Sequence, residues 1–237
     1  KRQRWRLATS KKGQDMQGVS ILFDTQNLLR LLEGLVVSTE ISFISIIISV
    51  IGGLILGVLM SMKNKFIYLV LKICLEIVRI MPQIVWLFLF YFGVSKAFDI
   101  HISAFTASLI VFSLWGVFEM MDIVRGAITS IPKHQFESAA SLGLSKFQIY
   151  FYVIIPLATR RLVPGAVNLL SRMIKTTSIV VLIGVVEVVK VGQQIIERNV
   201  FTNPMAPFWI YTLIFFLYFA ICYPVSKLSK KLEEKWS

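Results

Sequence analysis

The sequence predicts an all-α membrane protein with five transmembrane helices, and three observations carry that prediction. The 237 residues are 56% hydrophobic and only 16% charged, with a mean hydropathy of +0.74. Five apolar runs, at about 35–61, 66–95, 102–121, 163–183 and 207–226, are each long enough to cross a hydrocarbon core of about 30 Å, which takes about 20 helical residues. Finally, 25 Lys and Arg stand against 13 Asp and Glu, and they flank the apolar runs. Basic residues so placed set the orientation of a membrane protein, so no nucleic-acid partner is expected.

The chain divides into a basic tail with an amphipathic lead-in (1–32), a single transmembrane domain (33–229) and a second tail (230–237). In the lead-in, Leu28, Leu29, Leu31 and Leu32 alternate with polar residues between Asp24 and Glu33, the pattern of a helix lying at the lipid interface. No short apolar run with a small-residue cleavage site precedes the first span, so no cleavable signal peptide is expected. Along the first span, Ser38, Ser42, Ser45, Ser49, Gly53 and Gly57 keep one face narrow enough for close helix approach. Glu40 lies near that span's outer end, within reach of headgroup water.

In the second span Glu76 and Arg79 are three apart and expected to pair, and Pro82 removes a backbone donor and predicts a break inside the membrane. The third span ends in Glu119, Asp122 and Arg125, an ionisable stripe that must face inward or sit shallow, because each charge at the bilayer centre costs about 2.5–3.5 kcal/mol. The fourth repeats the theme with Asn168, Ser171, Lys175 and Ser178 on one face and Arg172 beside them. Two helices with polar inner faces predict a polar pathway. Glu119, deeper than Asp122, is the better substrate candidate, with an ion pair to Lys175 or Arg172 as the structural alternative.

Five spans put the termini on opposite sides. The segments after the first, third and fifth spans hold eleven Lys and Arg, whereas the opposite loops hold only Lys96, Lys190 and Arg198. The positive-inside rule therefore puts the central loop and C-terminus in the cytoplasm and the N-terminus outside. Lys1, Arg2, Arg4, Arg6, Lys11, Lys12 and Arg30 oppose that orientation, but tails weigh less than short loops. Cys74 and Cys222 lie far apart inside apolar runs, and His101 and His134 in different loops, so neither a disulfide framework, nor a metal site, nor redox chemistry is expected. No phosphate-binding glycine loop and no zinc-protease helix motif is present, so the chain is expected to transport rather than catalyse.

The central loop, about 130–161, is the most informative stretch. Pro132 suits a helix start, Glu137 to Leu142 reads as a short helix with small residues on one side, and Gly143 is its left-handed stop. Such a helix at a membrane surface is built for docking a cytoplasmic partner, an ordinary surface helix being the alternative.

The stretch Glu137-x-Ala139-x-x-x-Gly143, ending in Ile154-x-Pro156, resembles the EAA loop by which permease subunits of bacterial ATP-binding cassette (ABC) importers engage their ATPases. Glu76-x-x-Arg79-x-x-Pro82, Asp122-x-x-Arg125-Gly126, Ile131-Pro132-x-x-Gln135, Pro164-x-x-x-Asn168 and Lys175-x-Thr177-Ser178 are similar to further signatures of the polar amino acid permeases in that class. The resemblance runs from about Leu31 to Glu197. It implies a type I importer of the bacterial cell membrane: two five-span permeases, identical or paralogous, two ATPase subunits below and an extracytoplasmic amino acid binding protein above. No cofactor would be bound by this chain, with ATP and Mg on the partner ATPase.

The resemblance implies ATPase docking by Pro132, Gln135, Glu137, Ser138, Ala139, Ala140, Gly143 and Pro156. The path or substrate residues are Glu119, Asp122, Asn168, Lys175, Ser178 and Glu40, and Glu76 with Arg79 forms a structural pair. Departures from the family pattern are Ser138 for the usual Ala, His134 for Gly, Leu157 for Gln and Thr176 for Asp. Glu119 stands where Tyr is usual and Glu40 where Leu is. A proton-coupled secondary carrier using Glu119 and Asp122 is the rival, disfavoured by the lack of an internal repeat and by the unexplained docking helix. A membrane scaffold is a third reading, weakened by the polar inner faces.

Overall fold

The computed structural model describes residues 21–62 and 64–236, so the basic tail through residue 20, and Lys63, lie outside the described residues. Eight helices follow in order: α1 (Thr25–Ser61), α2 (Lys65–Ile80), α3 (Gln83–Ala97), α4 (Ala104–Thr129), α5 (Lys133–Ser141), α6 (Lys146–Ile183), α7 (Val188–Asn199) and α8 (Ala206–Trp236). Four of them, α1, α4, α6 and α8, are long and apolar enough to cross a membrane, and the fifth span is the pair α2 and α3 bent by 95°.

Local chemistry places the boundaries. Asp24 accepts from the Gln26 N–H and Asn64 from those of Phe66 and Ile67, capping α1 and α2. Ser103 opens α4, and a reciprocal Ser145–Gln148 capping box opens α6. The break between α2 and α3 falls at Met81–Pro82, since proline brings no N–H to continue the helix.

The α1–α4 seam is the centre of the bundle. Ser38, Ser42, Ser45, Ser49, Gly53 and Gly57 are all buried, and a Cβ on Gly57 would sit 2.5 Å from Val124 Cβ. Backbones this close rely on dispersion, because lipid gives two apolar helices no hydrophobic reason to associate. Two of the serine hydroxyls are served inside the helix: Ser42 donates to the Ser38 carbonyl at 2.8 Å and Ser49 to that of Ser45 at 2.6 Å. Val111, Phe112, Met120, Leu169 and Met173 extend the core between α4 and α6.

Two boundaries differ from the sequence expectation. The lead-in is no separate interfacial helix: α1 runs unbroken from Thr25, and Leu31 and Leu35 pack on Val188, Val191, Ile195, Ile210 and Ile214 of α7 and α8. Leu31 thus faces protein, while Leu29 and Leu32 stay exposed. Similarly, α6 begins at Lys146, so the second half of the central loop is helical, with a widened π-turn at Tyr150–Ile154 before the apolar stretch starts.

Candidate functional site

Glu119 lies at the meeting point of three helices. On α4 its carboxylate accepts from Arg79 Nε of α2 at 2.9 Å through Oε1, and from Arg172 Nη2 of α6 at 2.8 Å through Oε2. One turn on, Asp122 accepts from Arg79 Nη2 at 3.1 Å and from Arg125 Nη2 at 2.7 Å. Two carboxylates thus hold three guanidiniums, a formal surplus of one positive charge. The Glu119 side chain is only 10% exposed whereas those of Arg79 and Arg172 are about two-fifths exposed, so the acid is the buried centre and the cations reach it from a wetter side. Arg172 also stacks over Trp115, 5.5 Å from the ring centre.

The expected Glu76–Arg79 pair is corrected by this arrangement. Glu76 is exposed and makes no ion pair among the described residues, while Arg79 crosses to Glu119 and Asp122. Two carboxylates in a partly buried, lower-dielectric setting attract a guanidinium more strongly than one solvated neighbour on the same helix. The Asp122–Arg125 pair forms as its three-residue spacing predicts.

The remaining path candidates lie apart from this knot. Lys175 is exposed and borders a cavity of about 380 Å³ against Tyr218, Cys222 and Ser226 of α8. Ser178 donates to the Lys175 carbonyl at 3.0 Å. Asn168 opens into a second cavity of about 480 Å³ between α6 and α8, and Glu40 is exposed on α1. Between the two cavities, Ser171 and Ser226 hydroxyls meet at 3.0 Å.

The central-loop helix projects from the bundle. Pro132 precedes the first turn of α5, and Gly143, at φ +79°, ends it. There the Gly143 N–H donates to the Ala140 carbonyl at 2.9 Å and the Leu144 N–H to that of Ala139 at 3.3 Å. Ala139 alone in α5 is buried, set among Ile131, Ile149, Ile154 and Ala158. Glu137, Ser138 and Ala140 are exposed, Gln135 is half-buried, and Pro156 is exposed on the first part of α6. Ala139, with half-buried Phe136 packed against the same cluster and on Tyr150, therefore anchors the helix and leaves Glu137, Ser138 and Ala140 outward. Arg161 Nη1, donating to the Ser130 carbonyl at 2.7 Å, ties α6 to the root of the loop.

Residues 41–229 match the family described as the binding-protein-dependent transport system inner membrane component, which is most of the chain and includes both the ion-pair knot and α5. The chain belongs to that family. It is a multi-pass membrane permease, of a class that works with an ABC ATPase and a substrate-binding partner. The permease is 29% identical over 211 residues to a probable glutamine ABC transporter permease of Bacillus subtilis, covering 89% of this chain and 95% of that one. It is 32% identical over 206 residues to a probable amino-acid ABC transporter permease of the same organism (87% and 88% covered). A glutamine transport system permease of Escherichia coli is 31% identical over 194 residues (80% and 86%). Among solved structures, an amino acid ABC transporter with histidines superposes with a TM-score of 0.80 at 28% identity, covering 91% of this permease and 98% of that chain. An inward-facing methionine ABC transporter, at 0.68 and 18% identity, shares the fold.

One buried residue of the permease escaped the sequence analysis. Glu187, fully buried, caps α7 by accepting from the Val189 and Lys190 N–H groups at 3.0 Å each, and also accepts from Ser38 Oγ at 3.3 Å and Tyr218 Oη at 3.4 Å. It joins α1, α7 and α8 at the end of the bundle away from α5. The signal that could have found α7 is the Val188, Val191, Ile195 spacing within the supposed loop.

Proposed function

We propose that this permease imports a polar amino acid, received from an extracytoplasmic binding protein and driven by ATP hydrolysis on separate subunits. The observation that carries this reading is the family match over residues 41–229, with amino acid permeases among its relatives. α5 supports the coupling step: anchored at Ala139 and stopped at Gly143, it offers Gln135, Glu137, Ser138 and Ala140 to an ATPase, which would hold ATP and Mg, with Pro132 just before it and Pro156 on the start of α6. Two ATPase subunits and a second permease, a copy or a paralogue, complete the assembly in this reading. The α5 end and the C-terminus then lie in the cytoplasm, and the N-terminus outside.

For the path, the reading takes Glu119, Asp122, Asn168, Lys175 and Ser178, with Glu40 at the outer end. With both Glu119 oxygens engaged by arginines, a substrate ammonium can reach it only by displacing a guanidinium, whereas the surplus cation of the knot favours the substrate carboxylate. Glu119 then works by holding Arg79 and Arg172 in place. Reconstitution with the cognate ATPase and binding protein in proteoliposomes tests the whole reading with labelled glutamine. Accumulation that needs ATP and the binding protein is expected. Accumulation driven by a proton gradient without ATP would overturn it in favour of the secondary carrier.

A further inference from the structure

The ion-pair knot and α5 leave unused a polar cavity of about 480 Å³, lined by Arg160, Arg161, Asn168, Ser229, Glu233 and Trp236. It lies where the first half of α6 meets the last turns of α8, at the end of the bundle that carries α5. Its volume falls in the range of about 300–1,000 Å³ in which small-molecule sites occur. We infer that this cavity is an inner binding site for a free α-amino acid, taking the carboxylate on Arg160 and the ammonium on Glu233, where the transported molecule pauses before release. The inference rests on the amino acid importer reading above and adds a site to it.

Charge complementarity is the first argument. Arg160 and Glu233, both exposed to solvent, make no ion pair with one another or with any other group among the described residues, so the cavity offers a cation and an anion that only water would need to leave. A guanidinium presents a fork of donors matched to a carboxylate, and a carboxylate accepts from an ammonium. A ligand carrying both charges a few atoms apart satisfies both at once, and an α-amino acid is the smallest such molecule. Arg161 is less available, because its guanidinium is held by the Ser130 carbonyl and hydroxyl.

The backbone is the second argument. Pro164 lies inside α6 and brings no N–H to that helix. The Pro164 carbonyl is itself taken by Ser229 Oγ at 2.8 Å, which pins α8 to α6 and fixes the two walls. Position is the third argument. Asn168, Lys175 and Ser178 share one face of α6, with Lys175 on a separate cavity walled mainly by aromatic side chains of α8 and the Ser171–Ser226 contact between the two. Lys175, Asn168 and Arg160 thus follow one another along α6 toward the cavity proposed as the site.

A phosphoethanolamine lipid headgroup carries the same pair of charges, and the experiment separates the two sources. The permease–ATPase complex is placed in phosphatidylcholine nanodiscs with Cys74→Ser, Cys222→Ser and Ser229→Cys, and the rate of modification by a polar maleimide is measured. A second reporter, Trp236→Cys, covers the loss of the Ser229–Pro164 bond. L-glutamine at ten times its half-protecting concentration should slow labelling about tenfold by mass action, its methyl ester should not, and Arg160→Gln or Glu233→Gln should each remove the protection. Failure of glutamine to protect either reporter overturns the site. Protection that appears instead on exchanging phosphatidylcholine for phosphatidylethanolamine, without amino acid, overturns it in favour of a lipid headgroup. ATP-driven glutamine uptake, run on the same preparation with the binding protein, tells a wrong site in a working importer from a failure of the importer reading itself.

Discussion

Glu119 sits where three helices would otherwise bring positive charge together. Its two oxygens accept from Arg79 and Arg172 and share one negative charge between them, so removing that charge leaves two guanidiniums facing a neutral amide. Glu119→Gln should lower the stability of the purified permease by about 1.5–3 kcal/mol, the usual worth of hydrogen bonds to charged groups, and a thermal melt in detergent measures it. Arg172→Gln should do less, because Glu119 keeps Arg79. The acidic stripe was legible because Glu119, Asp122 and Arg125 are neighbours on one helix. The partner of Arg79 was not, since helical spacing reveals Glu76 three residues away but says nothing of a carboxylate forty residues on. Glu187 was hidden for the same reason: two of its donors, Ser38 and Tyr218, are 149 and 31 residues distant, and glutamate is an uncommon helix cap. Glu187→Ala should loosen α7, and faster amide exchange confined to Val188–Asn199 is the expected readout.

At the level of elements, the spans and α5 could be read from the sequence because each is governed by a local rule: apolar length, proline at the start, glycine at the stop. The start of α6 could not, since Lys146 to Pro156 is a run of aromatic and β-branched residues without helical periodicity, and its helix depends on a capping box and on packing of Ile149 and Ile154 against α5's Ala139. Seams obey tighter limits than spans. Gly57→Leu forces a side chain into the space of Val124 and should cost at least the ~1–3 kcal/mol of ordinary overpacking, lowering the melting temperature. Gly126→Ala, with nothing within 4 Å of the new Cβ, should leave it unchanged or slightly higher. For α5, Gly143→Leu places a bulky side chain at φ +79°, a strain of about 1–2 kcal/mol. Because α5 is held to the bundle through Ala139 and half-buried Phe136, that strain should misplace the helix while the bundle stays folded. The expected result is an assembly that binds its substrate-loaded partner yet loses stimulated ATP hydrolysis. Normal stimulation would remove α5 from the coupling role.

The whole molecule turns on the direction of α6. Its 38 residues, at 1.5 Å each, span about 57 Å, more than the thickness of a bilayer with its headgroups. α5 precedes one end of this helix and α7 follows the other, so His134 and Glu197, both exposed, lie at opposite ends of the bundle and must face opposite compartments. The loop charges favour the cytoplasm for His134, because the basic residues cluster at that end, from Arg125 through Arg161 to Lys235. The basic residues of the tail argue the reverse, and labelling of intact cells decides between the two. With Cys74→Ser and Cys222→Ser as background, Glu197→Cys should react with an impermeant maleimide added outside, and His134→Cys should react only after the membrane is opened. If His134→Cys is the one labelled from outside, the orientation inverts: α5 then faces away from ATP, and ATPase docking on it becomes physically impossible.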